Sequence, residues 1–286
     1  MARVIVAGKY QLLKKIGEGS FGKIFRGVAL IEEDASPERA DASPERADAS
    51  LERALAIKIT EHSEIFKNEV QMYEKLRGLR GVPAMYASGI EGKFKYIVMD
   101  LLEQSLEQLL QQVEPLPLKV VIHLALQMLT LVEQIHALGI IHRDLKPANF
   151  LLKTNAQQIS ELVLIDFGLA KCFLDDKNRH CVLNTNEPLV GSTRYMSINM
   201  HHGFTASRRD DLESLGYIIL FFYQGQLSWQ KQSAVVELKQ KLTFIGTDCI
   251  RHNFILFILY CRDLGFADKP HYDYLCGLLE NVKKLT

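Results

Sequence analysis

Eight consecutive residues, His142-Arg143-Asp144-Leu145-Lys146-Pro147-Ala148-Asn149, constrain this chain more than any other stretch. They set a carboxylate, an ammonium group and a carboxamide within one short segment. Pro147 has no amide hydrogen to donate, and it steers Lys146 toward extended backbone. The segment therefore reads as a loop whose side chains fan outward. Phosphoryl transfer needs this set: an aspartate to accept a hydroxyl proton, a cation for the transferred phosphate and an amide oxygen for a metal. A polar turn between two apolar segments is the plain alternative, and the surrounding sequence argues against it.

Upstream, residues 9–28 alternate apolar and polar side chains around Gly17-Glu18-Gly19-Ser20-Phe21-Gly22. A G-x-G-x-x-G run alone is ambiguous, because dinucleotide folds also use it. A dinucleotide fingerprint opens a helix, whereas Lys23-Ile24-Phe25-Arg26-Gly27-Val28 reads as strand. Strand, glycine bend and strand make a flap whose backbone can lie close over phosphates. An oxidoreductase reading rests on the glycines alone and lacks the strand-to-helix context.

Residues 34–54 repeat a heptad: Asp-Ala-Ser-Pro-Glu-Arg-Ala twice, then Asp-Ala-Ser-Leu-Glu-Arg-Ala. No large apolar residue occupies a seam, so a coiled coil is not expected. Pro37 and Pro44 interrupt any continuous helix. The expectation is a solvated insertion between two strands. A second reading makes Ser36 and Ser43 phosphorylation sites for a proline-directed enzyme, on the Ser-Pro dipeptide only.

After the insertion, Leu55-Ala56-Ile57-Lys58-Ile59 is an apolar strand carrying one lysine. A lysine in a buried strand is costly unless it is paired. The next segment predicts a helix from Ser63, with Ile65, Glu69, Met72 and Leu76 on one stripe. Glu69 then faces inward, and Lys58 and Glu69 make sense as counter-ions, the lysine held to reach nucleotide phosphates. Either residue alone could be a snorkelling surface group.

Residues 95–102 read as another strand, 105–112 as a helix and 118–138 as a long apolar helix closed by Gly139. His123 and His136 on that helix read as ordinary packing or surface residues. The change from strand-rich to helix-rich sequence puts a lobe boundary after Leu102. Residues 1–102 form the first lobe and 103–286 the second, within one domain. Leu162-Val163-Leu164-Ile165 is a strand running into Asp166-Phe167-Gly168. A carboxylate at a strand end before a glycine suits Mg²⁺, a hard cation that takes oxygen ligands and nucleotide phosphates. Residues 170–196 are irregular. A helix opens after Ser207, and Asp211 in its first turn is the candidate to brace the 142–149 loop.

Composition excludes some classes. Lys plus Arg equals Asp plus Glu at 34 each, so charge gives no reason to expect nucleic acid or membrane as a partner. Five cysteines, odd in number and without C-x-x-C spacing, point to reduced thiols in the cytoplasm or nucleus. The apolar runs at 217–223 and 254–261 are too short to span a bilayer. No secretion-signal core is visible at the N-terminus.

Taken together, these motifs resemble the eukaryotic protein kinases, and within them the casein kinase 1 family, from Gly8-Lys9-Tyr10 to Leu275. Four further stretches carry the narrower match. They are Gly191-Ser192-Thr193-Arg194-Tyr195-Met196-Ser197-Ile198-Asn199, Ser207-Arg208-Arg209-Asp210-Asp211-Leu212-Glu213-Ser214-Leu215-Gly216, Leu227-Ser228-Trp229-Gln230 and Phe266-Ala267-Asp268-Lys269-Pro270-His271-Tyr272-Asp273-Tyr274-Leu275. The resemblance implies an α+β, two-lobed fold with an antiparallel sheet plus one helix in the first lobe and a mainly helical second lobe. It implies a serine/threonine kinase using ATP and Mg²⁺ on protein substrates. By that likeness Gly17, Gly19, Ser20 and Gly22 would cover the phosphates, and Glu69 would hold Lys58. Asp144 would be the base beside Lys146, and Asn149 and Asp166 would hold metal. Ile16, Ile24, Ala56, Met99, Leu151 and Ile165 would surround adenine, with the Leu102 backbone as a hinge contact.

The family favours targets with acidic or phosphorylated residues upstream, which implies an anion site here from Arg143, Lys171 and Arg194. The heptad insertion is not a family feature. No Lys or Arg lies between Arg179 and Arg194, Glu187 stands about where a family lysine would be, and residues 229–266 are shorter than expected. Were this the whole protein, control by a C-terminal tail would not be expected. The alternative class is a catalytically inactive scaffold, and such proteins commonly lack the lysine, the base or a metal ligand. This sequence keeps all of them.

Overall fold

The computed structural model describes residues 4–19, 21–30, 53–113, 116–154, 160–243 and 247–285. The heptad insertion, apart from Arg53 and Ala54, lies outside the described residues, as do Ser36, Ser43 and Ser20. The chain divides into two units, Met1–Val70 with Pro83–Leu102, and Gln71–Val82 with Glu103–Thr286.

The first unit is a six-stranded sheet plus a helix. Its strands are β1 (Val4–Val6), β2 (Tyr10–Gly19), β3 (Gly22–Ala29), β4 (Ala54–Thr60), β5 (Met85–Glu91) and β6 (Phe94–Asp100), in the spatial order β1-β2-β3-β4-β6-β5. Every neighbouring pair is antiparallel. Because β3 and β6 flank β4, Leu55, Ala56, Ile57 and Lys58 are all buried. Tyr10, Leu55, Ile57 and Val98 form the apolar centre. Helix α1 (Ser63–Lys75) starts where the sequence predicts, and Phe66, Glu69, Met72, Tyr73 and Leu76 are its buried face. Ile65, predicted on that stripe, is only partly buried.

Residues 71–82, which precede the sequence boundary at Leu102, group with the second unit. Specific contacts hold them there. The Tyr73 ring meets Phe167 edge-on at 5.4 Å, the Leu164 amide donates to the Gly81 carbonyl at 2.8 Å, and Arg80 pairs with Glu161.

The second unit is mainly helical. Its elements are α2 (Leu106–Gln112), α3 (Leu118–Ala137), β7 (Ile140–Ile141), β8 (Phe150–Thr154), β9 (Ser160–Leu164), β10 (Lys171–Cys172), α4 (Ile198–His201), α5 (Arg208–Gln224), α6 (Val235–Gln240), α7 (Cys249–Asp263) and α8 (Tyr272–Lys283). β8 pairs with β9 and β7 with β10, both antiparallel. Ser105 caps α2 through a reciprocal bond with Gln108. At 20 residues, α3 is long and apolar enough to cross a membrane, which the sequence reading of shorter runs overlooked. Its apolarity has a packing explanation, since Val121, Ala125, Met128, Val132 and Ile135 are buried and α3 packs against α5 and α8. All five cysteines are free thiols.

The α5–α7 contact depends on Gly216. A Cβ there would lie 2.5 Å from Ile258 Cγ1 and 3.2 Å from Phe257 Cδ1, both in the buried core. Helix propensity favours alanine by about 1 kcal/mol, but overpacking a filled core costs about 1–3 kcal/mol. Gly216→Ala should therefore lower the urea midpoint at unchanged slope, and an unchanged or raised midpoint would refute this account.

Candidate active site

Each unit carries its own set of functional side chains. In the first, Lys58 projects from β4 opposite Ile24 of β3 and Ile97 of β6. Its ammonium donates to both Glu69 oxygens, at 2.8 and 2.6 Å, and the two side chains are 7% and 1% exposed. Desolvating two charges roughly cancels their attraction, so such a pair is poor evidence of added stability. It fixes the position of a cation instead.

The glycine bend joins β2 to β3, with Gly17 opposite Ile24 and Gly19 opposite Gly22. Gly22 has φ +152, and a Cβ on it would lie 2.4 Å from the Ile59 carbonyl oxygen, so only glycine fits. A Cβ at Gly19 would meet nothing within 4 Å, and one at Gly17 only ordinary contacts with Ile24. Space around these two positions therefore does not by itself demand glycine. Ala56 and Met99 sit opposite each other and are buried, Ile24 and Leu102 are partly buried, and Ile16 is exposed. Ser20 lies outside the described residues.

In the second unit the organising group is Asp211, in the first turn of α5 and 2% exposed. Its Oδ2 accepts the His142 amide at 2.7 Å and its Oδ1 the Arg143 amide at 2.9 Å. His136 Nε2 approaches the same Oδ2 at 3.0 Å, and its Nδ1 meets the Tyr272 hydroxyl at 2.7 Å. Burial by itself would push the Asp211 carboxyl up. The hydrogen bond and charge of His136, with the bonds and charge of His142, hold it below the ordinary range. His136, read from sequence as packing or surface, is thus the buried partner of the bracing aspartate, and a polar residue in an apolar helix was the only sign of it.

The loop so held carries Asp144, Lys146 and Asn149. Asp144 is 5% exposed; its Oδ2 accepts from Lys146 Nζ at 2.6 Å and its Oδ1 from the Ser192 amide at 2.8 Å. Asn149 donates Nδ2 to the Asp144 carbonyl at 2.9 Å, leaving Oδ1 as the atom suited to a hard cation. The Ile165 amide donates to the Asn149 carbonyl at 3.0 Å, which ties the Asn149 segment to the one bearing Asp166. The Ile165 carbonyl lies 3.0 Å from His142 Nε2, and the His142 ring packs edge-on against Phe167 at 5.1 Å. Leu151, in β8 opposite Val163, completes the local strand pair. Asp166 stands at φ 66 and Arg143 at φ 67, left-handed conformations that cost about 1–2 kcal/mol for a side chain of either kind.

The anion-site residues divide. Arg143 donates Nε to the Leu169 carbonyl at 2.6 Å, and burial lowers its pKa against the opposing charges of Asp211 and Glu187. Glu187 accepts from Asn184 and Thr205, each at 3.3 Å. The Asn184 bond, then the charge of Lys171, the Thr205 bond and the charge of Arg143, hold its carboxyl below the usual range despite partial burial. Arg143 and Lys171 are therefore grouped around a carboxylate. Arg194 instead lines a cavity of about 380 Å³ with Lys146, Ser192 and Gln230.

Against this geometry, residues 10–253 match the family model described as Protein kinase domain. The chain belongs to the protein kinase family. It is also 36% identical, over an alignment of 298 positions, to Casein kinase I homolog 3 of Schizosaccharomyces pombe, covering 97% of this chain and 63% of that protein. The chain thus spans less than two thirds of that relative's length.

Two groups to which the sequence alone gives no role join His136 here. The Ser192 backbone amide donates to Asp144. Tyr272 is the hydroxyl partner of His136.

Asp211→Asn replaces an acceptor-only group by one whose amide must face an N–H donor. At neutral pH it should cost about 3–5 kcal/mol, the range for breaking a buried charged network. Because the folded pKa is depressed, the stabilisation by the carboxylate is complete above its unfolded value near 4 and is lost as pH falls through the folded value. Urea titrations should show a wild-type minus mutant difference that is present at neutral pH and collapses as pH falls below about 4. A difference that persists unchanged well below pH 4 would refute the assignment.

Proposed function

We propose that this chain is a serine/threonine kinase of the casein kinase 1 type, transferring the γ-phosphate of ATP to protein hydroxyls. The observation that carries the reading is the Asp144 carboxylate, held between Lys146 and the Ser192 amide on a loop that Asp211 anchors. Asp144 accepts the proton of the substrate hydroxyl as its oxygen forms a bond to the γ-phosphorus and the bond to the leaving ADP oxygen breaks. Lys146 neutralises charge on the transferred phosphoryl group. Lys58, fixed by Glu69, binds the nucleotide phosphates, and the glycine hairpin lies over them. Asn149 and Asp166 would hold Mg²⁺, which when bound would offset the charge of the phosphates. Similarity to Casein kinase I homolog 3 supports the narrower class. Free thiols on all five cysteines support a cytoplasmic or nuclear setting.

Substrate preference follows from Glu187. An internal carboxylate beside Arg143 and Lys171 compensates the charge that would otherwise attract a phosphoserine. We therefore infer that the kinase accepts acidic or unmodified substrates and gains little from a priming phosphate.

Phosphate transfer to two peptides, with and without phosphoserine three residues before the target serine, tests both points. Asp144→Asn should lower kcat by about 10²–10⁴-fold. Wild type should favour the primed peptide by less than about tenfold in kcat/KM, with Glu187→Lys raising that ratio by about tenfold, near 1.4 kcal/mol. Transfer indistinguishable from the Asp144→Asn background would favour the inactive scaffold. A strong primed preference in wild type would overturn the role of Glu187.

A further inference from the structure

Lys239 is fully buried, on the short helix α6, and neither the phosphoryl-transfer chemistry nor the anion site accounts for it. A buried ammonium is costly unless its protons are satisfied. Here each has an acceptor: the Met196 carbonyl at 2.6 Å, the Thr193 carbonyl at 2.8 Å and His201 Nε2 at 3.0 Å. The faces of Tyr217 and Trp229 flank the cation at 4.9 and 5.7 Å from their ring centroids. Burial and the charge of Lys239 lower the His201 pKa to about 4, so its ring is neutral and can accept at Nε2. His201 Nε2 also lies 3.2 Å from the Thr193 oxygen, so the ring and the ammonium share that carbonyl's surroundings. Burial lowers the Lys239 pKa to about 7, against the opposing charge of Glu213. Three acceptors and two ring faces favour the protonated form.

The segment gripped in this way is the one that touches the catalytic carboxylate. Between the two captured carbonyls, the Arg194 carbonyl accepts from Trp229 Nε1 at 2.8 Å. The turn closes on itself through the Tyr195 and Met196 amides, both 3.0 Å from the Ser192 carbonyl. Its first residue donates the amide that fixes Asp144 Oδ1. Beyond the lysine, Arg262 bonds to the Lys239 carbonyl at 2.9 Å and pairs with Glu213 at 3.0 Å, so α6 is tied to the helical core.

We propose that Lys239 is a positioning residue: its ammonium holds the 192–196 turn from inside, and through the Ser192 amide it sets the orientation of the Asp144 carboxylate. The proposal rests on the kinase reading for its catalytic consequence but not for its structural one. A lysine turned inward onto carbonyls is also not available to bind a substrate anion.

Lys239→Met keeps the stem and removes the ammonium donors to the Met196 and Thr193 carbonyls. Lys239→Arg keeps the charge and the donors. Amide hydrogen exchange, read peptide by peptide without substrate, should speed up about tenfold or more across residues 192–197 in Lys239→Met, with α3 and α5 as protected as in wild type. In the same variant kcat should fall about 10–100-fold with the KM for ATP within twofold, as a misaimed base requires, and Lys239→Arg should recover most of the loss. Wild-type exchange over 192–197 in Lys239→Met would overturn the proposal. So would a uniform rise in exchange or loss of cooperative unfolding in both variants, since Lys239 would then serve the core as a whole. Should wild type transfer no phosphate, the kinase reading fails, while the exchange pattern still decides whether Lys239 holds the turn.

Discussion

Asp211 bears a charge in a place water cannot reach, and the second unit is arranged to make that tolerable. Two backbone amides from consecutive residues, His142 and Arg143, donate to this carboxylate, and the His136 ring approaches it as well. Consecutive amides point to one acceptor only when the backbone turns sharply, and Arg143 accordingly takes φ 67. The strain is sustained because hydrogen bonds to an ionised acceptor are worth about 1.5–3 kcal/mol each. From that anchor the loop continues to Asp144 and Asn149, and the Ile165 amide then fixes the approach to Asp166. Removing the carboxylate would release a whole loop, not a single contact.

Two buried lysines show opposite uses of the same side chain. Lys58 is matched by a carboxylate, so its charge is locally cancelled and its position fixed along a rigid strand. Lys239 is matched by neutral acceptors and aromatic faces, with Glu213 as the nearest compensating charge and that carboxylate already shared with Arg262. The first arrangement positions a cation for use. The second spends the cation on shaping backbone. Neither is the most stable filling of its site, since apolar residues of similar volume are often as good or better. Their presence is therefore better explained by geometry than by stability.

Much of this was legible from the chain. The strands around the glycine bend, the stripe on α1 apart from Ile65, the glycine at the end of α3 and the strand running into Asp166 all belong to local periodicities or local backbone demands, and these appear where expected. The Lys58–Glu69 pair was legible because a charged residue in an apolar strand requires a partner, and one helix offered it on the inward face. Less legible were features settled by long-range contact. Residues 71–82 continue a helix of the first lobe in sequence, yet Tyr73 and Gly81 bond to the segments around Phe167 and Leu164. Helix α3 passes for a membrane span by length and apolarity until its burial against α5 and α8 is seen.

What the sequence by itself determined was chemistry and order: which groups could move a proton, hold a metal or lie over phosphates, and along which strands, loops and helices they would come. These follow from covalent structure and short-range sterics, which act within a few residues. Only the tertiary structure decided which groups meet. His136 and Asp211 are 75 residues apart, and Lys239 and Thr193 are 46. No periodicity links such pairs, because their bonds exist only once α3, α5 and α6 have packed. The same packing brings Glu187 into the charge environment of Arg143 and Lys171. The proposed consequence for substrate choice is electrostatic, and electrostatic energy depends on distance and burial, which a string of residues does not contain.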